Sequence, residues 1–181
     1  MSARAVICAA LTALLCGCMN RAIAPVAALA SVPGLAAPGT AVPRTAEQVV
    51  RAAYGRRSFA FQSVVRLAPA SLRVIGLDAR GQRLFTVDWD GNRVEETRSP
   101  FLPATLATDR LLADLQLVLW PLAAIAPLWR ASGFEVTEPY SGLRRVMRDG
   151  YIVEEVHYAG DDAWQGRSWL VNFTHGYSLT I

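Results

Sequence analysis

The sequence predicts an α+β fold: a curved antiparallel sheet, an incomplete β-barrel in form, with apolar helices covering its concave face. Three observations predict it. Two blocks of alternating apolar and polar residues, one before Ser99 and one after Gly133, are cut into short runs by turn residues, as in antiparallel meanders. Between them, from Asp109 to about Ala131, the apolar period becomes helical. No internal repeat is present, so the order is strands, helices, strands.

The start of the chain is not part of that fold. Met1-Ser2-Ala3-Arg4 carries one positive charge, and Ala5 to Leu15 is apolar or small except for Thr12. This is the layout of a secretory signal, and the run is too short to span a bilayer, which takes about 20 residues. Leu15-Cys16-Gly17-Cys18 resembles the bacterial lipobox. The resemblance implies removal of residues 1–17, a diacylglycerol thioether on Cys18, and acylation (such as by palmitate) of its new amino group. Two or more acyl chains hold a protein stably where one does not. Met19 to Pro43 is rich in Ala, Pro and Gly and uncharged between Arg21 and Arg44, so residues 18–43 read as the acylated cysteine and a tether, and 44–181 as one domain.

Loss of the signal removes Cys8 and Cys16, and acylation uses Cys18, leaving no thiol for a disulfide, zinc site or nucleophile. The cations are all arginine. Removing Arg4 from the 18 leaves 17 against 15 acids, and no basic stripe with interleaved aromatics appears, so nucleic acid is not an expected partner.

Within the domain, Gln48 to Tyr54 fits a strand or short helix. Ser58 to Leu67 alternates, with Phe59, Phe61, Val65 and Leu67 on one face and Gln62 and Arg66 on the other. Ser71 to Leu77 and Gln82 to Trp89 continue the meander. Asp90-Gly91 predicts a two-residue hairpin turn returning through Arg93 to Thr97. Ser99 to Pro103 breaks the pattern and is a candidate apolar loop. Thr108 is a candidate N-cap. Leu111, Leu112, Leu115, Val118 and Leu119 form one stripe, with Asp114 and Gln116 off it, and Pro121 ends the helix near Trp120. Leu122 to Trp129 is a second apolar piece. A span across the membrane over Leu111 to Trp129 is disfavoured by Asp114, Gln116 and two prolines. The second meander has a hairpin at Asp149-Gly150 and finishes with Trp169 to Phe173 and Tyr177 to Ile181.

No catalytic pattern emerges. Nucleophile elbow and phosphate loop are both missing; His157 and His175 are isolated; Glu154 and Glu155 point to opposite faces of a strand. The chain is therefore not expected to be an enzyme or to need a metal or cofactor. Apolar surface is what remains. A curved sheet under an apolar helix can enclose a cavity, for which Phe59, Phe61, Leu111, Leu115, Leu119 and Trp120 are the candidate ligand-binding lining.

Leu72-Arg73-Val74-Ile75-Gly76-Leu77-Asp78, Gly81-Gln82-Arg83-Leu84-Phe85-Thr86, Asp90-Gly91, Leu111-Leu112-Ala113-Asp114-Leu115-Gln116-Leu117 and Trp120-Pro121 resemble an uncharacterised family of bacterial lipoproteins, DUF3261, over roughly Thr45 to Ile181. More distantly, the meander around Gly81 is similar to LolB, the outer-membrane receptor that takes lipoproteins from LolA. That resemblance implies an incomplete barrel holding acyl chains. The family's association with aryl polyene lipid clusters implies a lipidic ligand. The expectation is thus a monomeric protein, lipid-anchored in the outer membrane and facing the periplasm, that binds or transfers an acyl chain, a lipoprotein or an aryl polyene lipid without covalent chemistry. The alternative is a scaffolding lipoprotein that holds partner proteins.

Overall fold

A computed structural model describes residues 33–100, 102 and 107–181. The signal, Cys18 and the first part of the tether lie outside the described residues, as do Phe101 and Pro103 of the candidate loop.

Ten strands form one antiparallel sheet. Five come before the helices: β1 (Arg44–Tyr54), β2 (Arg57–Ala68), β3 (Ser71–Leu77), β4 (Arg83–Trp89) and β5 (Val94–Arg98). Helices α1 (Thr108–Leu119) and α2 (Leu122–Ala131) follow, then β6 (Glu135–Tyr140), β7 (Leu143–Arg148), β8 (Tyr151–Tyr158), β9 (Ser168–Asn172) and β10 (Tyr177–Thr180). The spatial order is β5-β4-β3-β2-β1-β10-β9-β8-β7-β6. Each half is a meander, and β1 joins them by pairing with β10 from Arg51↔Thr180 to Tyr54↔Tyr177. The sheet stays open, with β5 and β6 as its edges, and the two helices carry the chain from one edge to the other. They therefore cross the concave face, and their side chains share one apolar core with it.

Alternation explains the inner face. Phe61, Val65 and Leu67 of β2, Leu72 and Val74 of β3, and Phe85, Val87 and Trp89 of β4 are buried. Phe85 lies edge-on to Phe61, with centroids 5.6 Å apart. Gly76 on β3 makes room for it: a Cβ there would stand 2.1 Å from the Phe85 ring. The open choice for Gln48 to Tyr54 resolves as strand, because β1 must pair on both sides.

Two turn expectations separate. Arg148↔Tyr151 leaves Asp149 and Gly150 as a two-residue loop, both at positive φ (52° and 80°), as its type requires. Asp90-Gly91 is instead part of a four-residue loop, since Trp89 pairs with Val94. There the Asp90 carboxylate accepts from the backbone N–H of Asn92 and Arg93, an Asx turn that competes with the tighter one.

The helix also differs from expectation. Its N-cap is Ala107, without a side-chain cap, rather than Thr108. It is buried from Leu112 through Trp120 on every side, Asp114 and Gln116 included. The single apolar stripe is replaced by burial all round because α2 and β9 pack against the helix, Arg144, Tyr158 and Trp164 reach its last carbonyls, and Ala36 of the N-terminal segment bonds Gln116. At its end, the Trp120-Pro121 junction separates two helices of 12 and 10 residues, and among the described residues no helix is long and apolar enough to cross a membrane.

Residues 33–43, expected to belong to the tether, are packed on the domain. Ala36 is fully buried. Its N–H donates to Gln116 Oε1 (2.7 Å), and Gln116 Nε2 donates back to its carbonyl (2.8 Å). A buried amide beneath an apolar chain must find both partners, and the backbone of one residue supplies them.

Candidate functional site

Between α1 and the sheet lies a cavity of about 500 Å³, within the size range of small-ligand sites. Strands β1 to β4 supply Val50, Ala52, Phe59, Phe61, Val74 and Phe85; β10 supplies Leu179; the first two turns of α1 supply Leu111 and Leu115. Phe59 and Phe61 stack, 5.9 Å between centroids, along the floor. Four of the six residues expected at a cavity are thus brought together: Phe59, Phe61, Leu111 and Leu115. Leu119 and Trp120 are not in its lining. Leu119 is one turn further on, buried, with its carbonyl accepting from Trp164 Nε1. Trp120 lies past the last helical residue, with its ring against Trp164 at 6.3 Å. Both are core residues. Leu102 of the candidate apolar loop is also buried in the core.

One side of the cavity is polar, and the sheet register builds it. Glu154 on β8 pairs with Asn172 on β9, and Asn172 pairs with Tyr177 on β10. The three side chains therefore form a row on the inner face of adjacent strands. Asp114 descends on it from α1. The Tyr177 hydroxyl donates a short hydrogen bond to Asp114 Oδ2. Glu154 lies beside Asp114, and Asp114 Oδ1 and Glu154 Oε1 are both buried without a hydrogen-bond partner among the described residues. Asn172 Nδ2 donates to the Tyr177 hydroxyl at 3.4 Å, and its Oδ1 accepts from the backbone N–H of His175 at 2.8 Å. One turn before Asp114, the Arg110 guanidinium donates to His175 Nε2 at 2.8 Å. Arg110, Asp114, His175 and Tyr177 all line the cavity.

The electrostatics follow from burial. Asp114 and Glu154 are almost fully buried, which disfavours the charged form. The Asp114 carboxyl is pushed up to about 6, despite the opposing pull of the Tyr177 hydrogen bond and the Arg110 charge. Glu154 is raised well above the usual carboxylate range by burial and then by the Asp114 charge. Tyr177 is raised by burial and by both acids, so it stays a donor. His175 is lowered by burial and then by Arg110, so its imidazole is neutral at pH 7 and can accept at Nε2. Asp114 and Glu154 are two facing acids without a third, and among the described residues no group of three His, Cys, Asp or Glu could hold a metal.

A different set of polar groups fixes the far end of α1. The buried Arg144 donates to the carbonyls of Leu117 and Trp120 and pairs with Glu138 at 2.6 Å. Tyr158 donates to Val118 O, and Trp164 Nε1 donates to Leu119 O. The four terminal carbonyls that a helix leaves unpaired are satisfied by strands and loops of the second meander. His157, by contrast, is a half-exposed neighbour of Glu155 on the outer face.

Sequence reasoning correctly separated Glu154 from Glu155, but it missed Asp114 as the true partner of Glu154. The accessible signal was the Arg110–Asp114 spacing of four on one helical row. The register that brings Glu154, Asn172 and Tyr177 abreast was not readable, because their strands are separated by loops of different length.

The model of one protein family, described as protein of unknown function (DUF3261), matches residues 45–181. The chain belongs to this family. No curated protein matches it. Both the cavity and its polar row lie within the family's matched span.

Proposed function

We propose that this DUF3261 protein is a lipid-anchored, monomeric carrier or receptor that binds an apolar chain in the cavity under α1, facing the periplasm from the outer membrane. The observation that carries the reading is the cavity itself: about 500 Å³, with three phenylalanines and the aliphatic side chains of α1 around it. An open barrel crossed by helices is also the architecture expected from the likeness to LolB, and Leu15-Cys16-Gly17-Cys18 supplies the anchor. Burial stabilises a chain by about 0.8 kcal/mol per CH₂, enough for a cavity to compete with a bilayer without covalent chemistry. The ligand is an acyl chain, an acylated protein or an aryl polyene lipid.

The test is extraction of the natively purified full chain with organic solvent, followed by mass spectrometry. A stoichiometric amphiphile in the wild type, lost from a folded Leu115→Glu variant, supports the reading. Leu115 is buried beside the cavity, so the new carboxylate displaces apolar contact there. An equal lipid content in wild type and Leu115→Glu overturns it.

A further inference from the structure

We propose that Arg110 is the head-group site of the cavity and takes the carboxylate of a single-chain amphiphile, a free fatty acid in chemical class. This rests on the reading that the cavity holds an apolar chain and adds the chemistry of its polar end.

Arg110 has donors to spare. The one hydrogen bond of its guanidinium among the described residues is to His175 Nε2, a neutral acceptor, and none of the ion pairs formed among them includes it. A guanidinium beside buried acids would ordinarily pair with them. Here neither acid forms an ion pair with it: Asp114 accepts from Tyr177 through Oδ2, and both acids are buried, which favours their protonated forms. Arg110 is left oriented by His175, at the boundary between the apolar lining and the polar row. His175 is in turn fixed by Asn172, so it is a positioning residue for the fork. A planar guanidinium with free N–H groups matches a carboxylate bidentately, and partial burial strengthens the contact.

The same surroundings argue for a monoanion over a phosphate dianion. The charged or titratable groups lining the cavity are Asp109, Arg110 and Asp114 of α1, His175 just before β10, Tyr177 of β10 and Tyr54 of β1, with Glu154 of β8 behind them. Arg110 is the one cation in that lining, and the neighbouring acids, ionised in part above pH 6, oppose each further negative charge on a ligand, a dianion more than a monoanion.

The full chain in non-ionic detergent at pH 7.5 is titrated with cis-parinaric acid and with its methyl ester, each corrected for partition into protein-free micelles. The acid is expected to bind at least about tenfold more tightly than the ester, the span of a charge-assisted hydrogen bond. Arg110→Gln is expected to bring the acid down to the ester's affinity and leave the ester unchanged; Arg110→Lys, which keeps the charge and loses the fork, falls between. Equal affinity of the two probes for the wild type overturns the head-group assignment and leaves the cavity reading standing. So does an acid preference that survives in Arg110→Gln. Binding of neither probe overturns both. If Arg110→Gln does not fold, the wild-type ratio of acid to ester decides alone.

Discussion

Asp114 shows most directly what a single side chain does here. It is a buried carboxyl that accepts from a tyrosine hydroxyl, and burial raises its pKa on folding. The sign of the stability effect follows. Between the unfolded value near 4 and the folded value of about 6, the native state holds a proton that the unfolded chain releases, so this group's contribution is complete below pH 4 and falls as pH rises through 6. Asp114→Asn keeps the acceptor for Tyr177 and removes the charge. We expect the variant to be more stable than the wild type at pH 7.5, by up to about 3 kcal/mol, and to show little gain at pH 4. Urea unfolding at the two pH values checks this, and a gain of the same size at both would contradict it. The residue was visible in the sequence as a charge in an apolar helix, yet its burial was not. Periodicity sorts residues by face, and a helix enclosed on all sides has no outer face to assign.

At the scale of elements, α1 is held by its ends and its underside together. Its second half has almost no free surface, and its last carbonyls are met by Arg144, Tyr158 and Trp164 from β7, β8 and the loop after β8. Arg144 also stacks over the Tyr158 ring, 5.7 Å from its centroid, and the Tyr158 hydroxyl is pushed up to about 12 by burial. Arg144→Ala leaves two buried carbonyls short of a donor and Glu138 without its partner. The expected cost is about 2 kcal/mol or more, measured as a lowered denaturation midpoint, with amide exchange quickening first at Leu119 and Trp120. A midpoint unchanged from wild type would show that Tyr158 and Trp164 suffice. The strands themselves were largely legible: Phe59, Phe61, Val65 and Leu67 alternate as expected, and Asp149-Gly150 makes its two-residue turn. The Asp90 loop was misread for a local reason, because its side chain competes for the same N–H groups that a tighter turn would leave to the backbone.

For the whole molecule, the N-terminal segment matters more than its composition indicates. Ala, Pro and Gly carry no period, so nothing in residues 33–43 announced a buried Ala36; the partner that specifies it, Gln116, is 80 residues away. A chain beginning at Arg44 should be less stable than one beginning at Pro33, because Gln116 keeps a buried amide with both partners gone. We expect a loss of about 2 kcal/mol or more in paired denaturant titrations, and equal midpoints would show the segment to be dispensable. Fold class was readable because two strand blocks flank a helical one. Neighbours within each meander were readable from the turns; the pairing of β1 with β10 was not, since alternation says nothing about partners across the sheet.

The central pairing of β1 with β10 has a kinetic side. Each meander is built from neighbouring hairpins and can form from local contacts alone. Their junction cannot: Arg51 meets Thr180, almost the full length of the domain away, over only four residue pairs. The entropy of closing that loop falls on the shortest strand of the ten, and it falls last, once the C-terminal residues are available. Until then the inner faces of both halves, aromatic floor included, stand open. Holding such a chain unfolded, or shielding it, until synthesis is complete is the condition under which the two halves meet each other before they meet another copy.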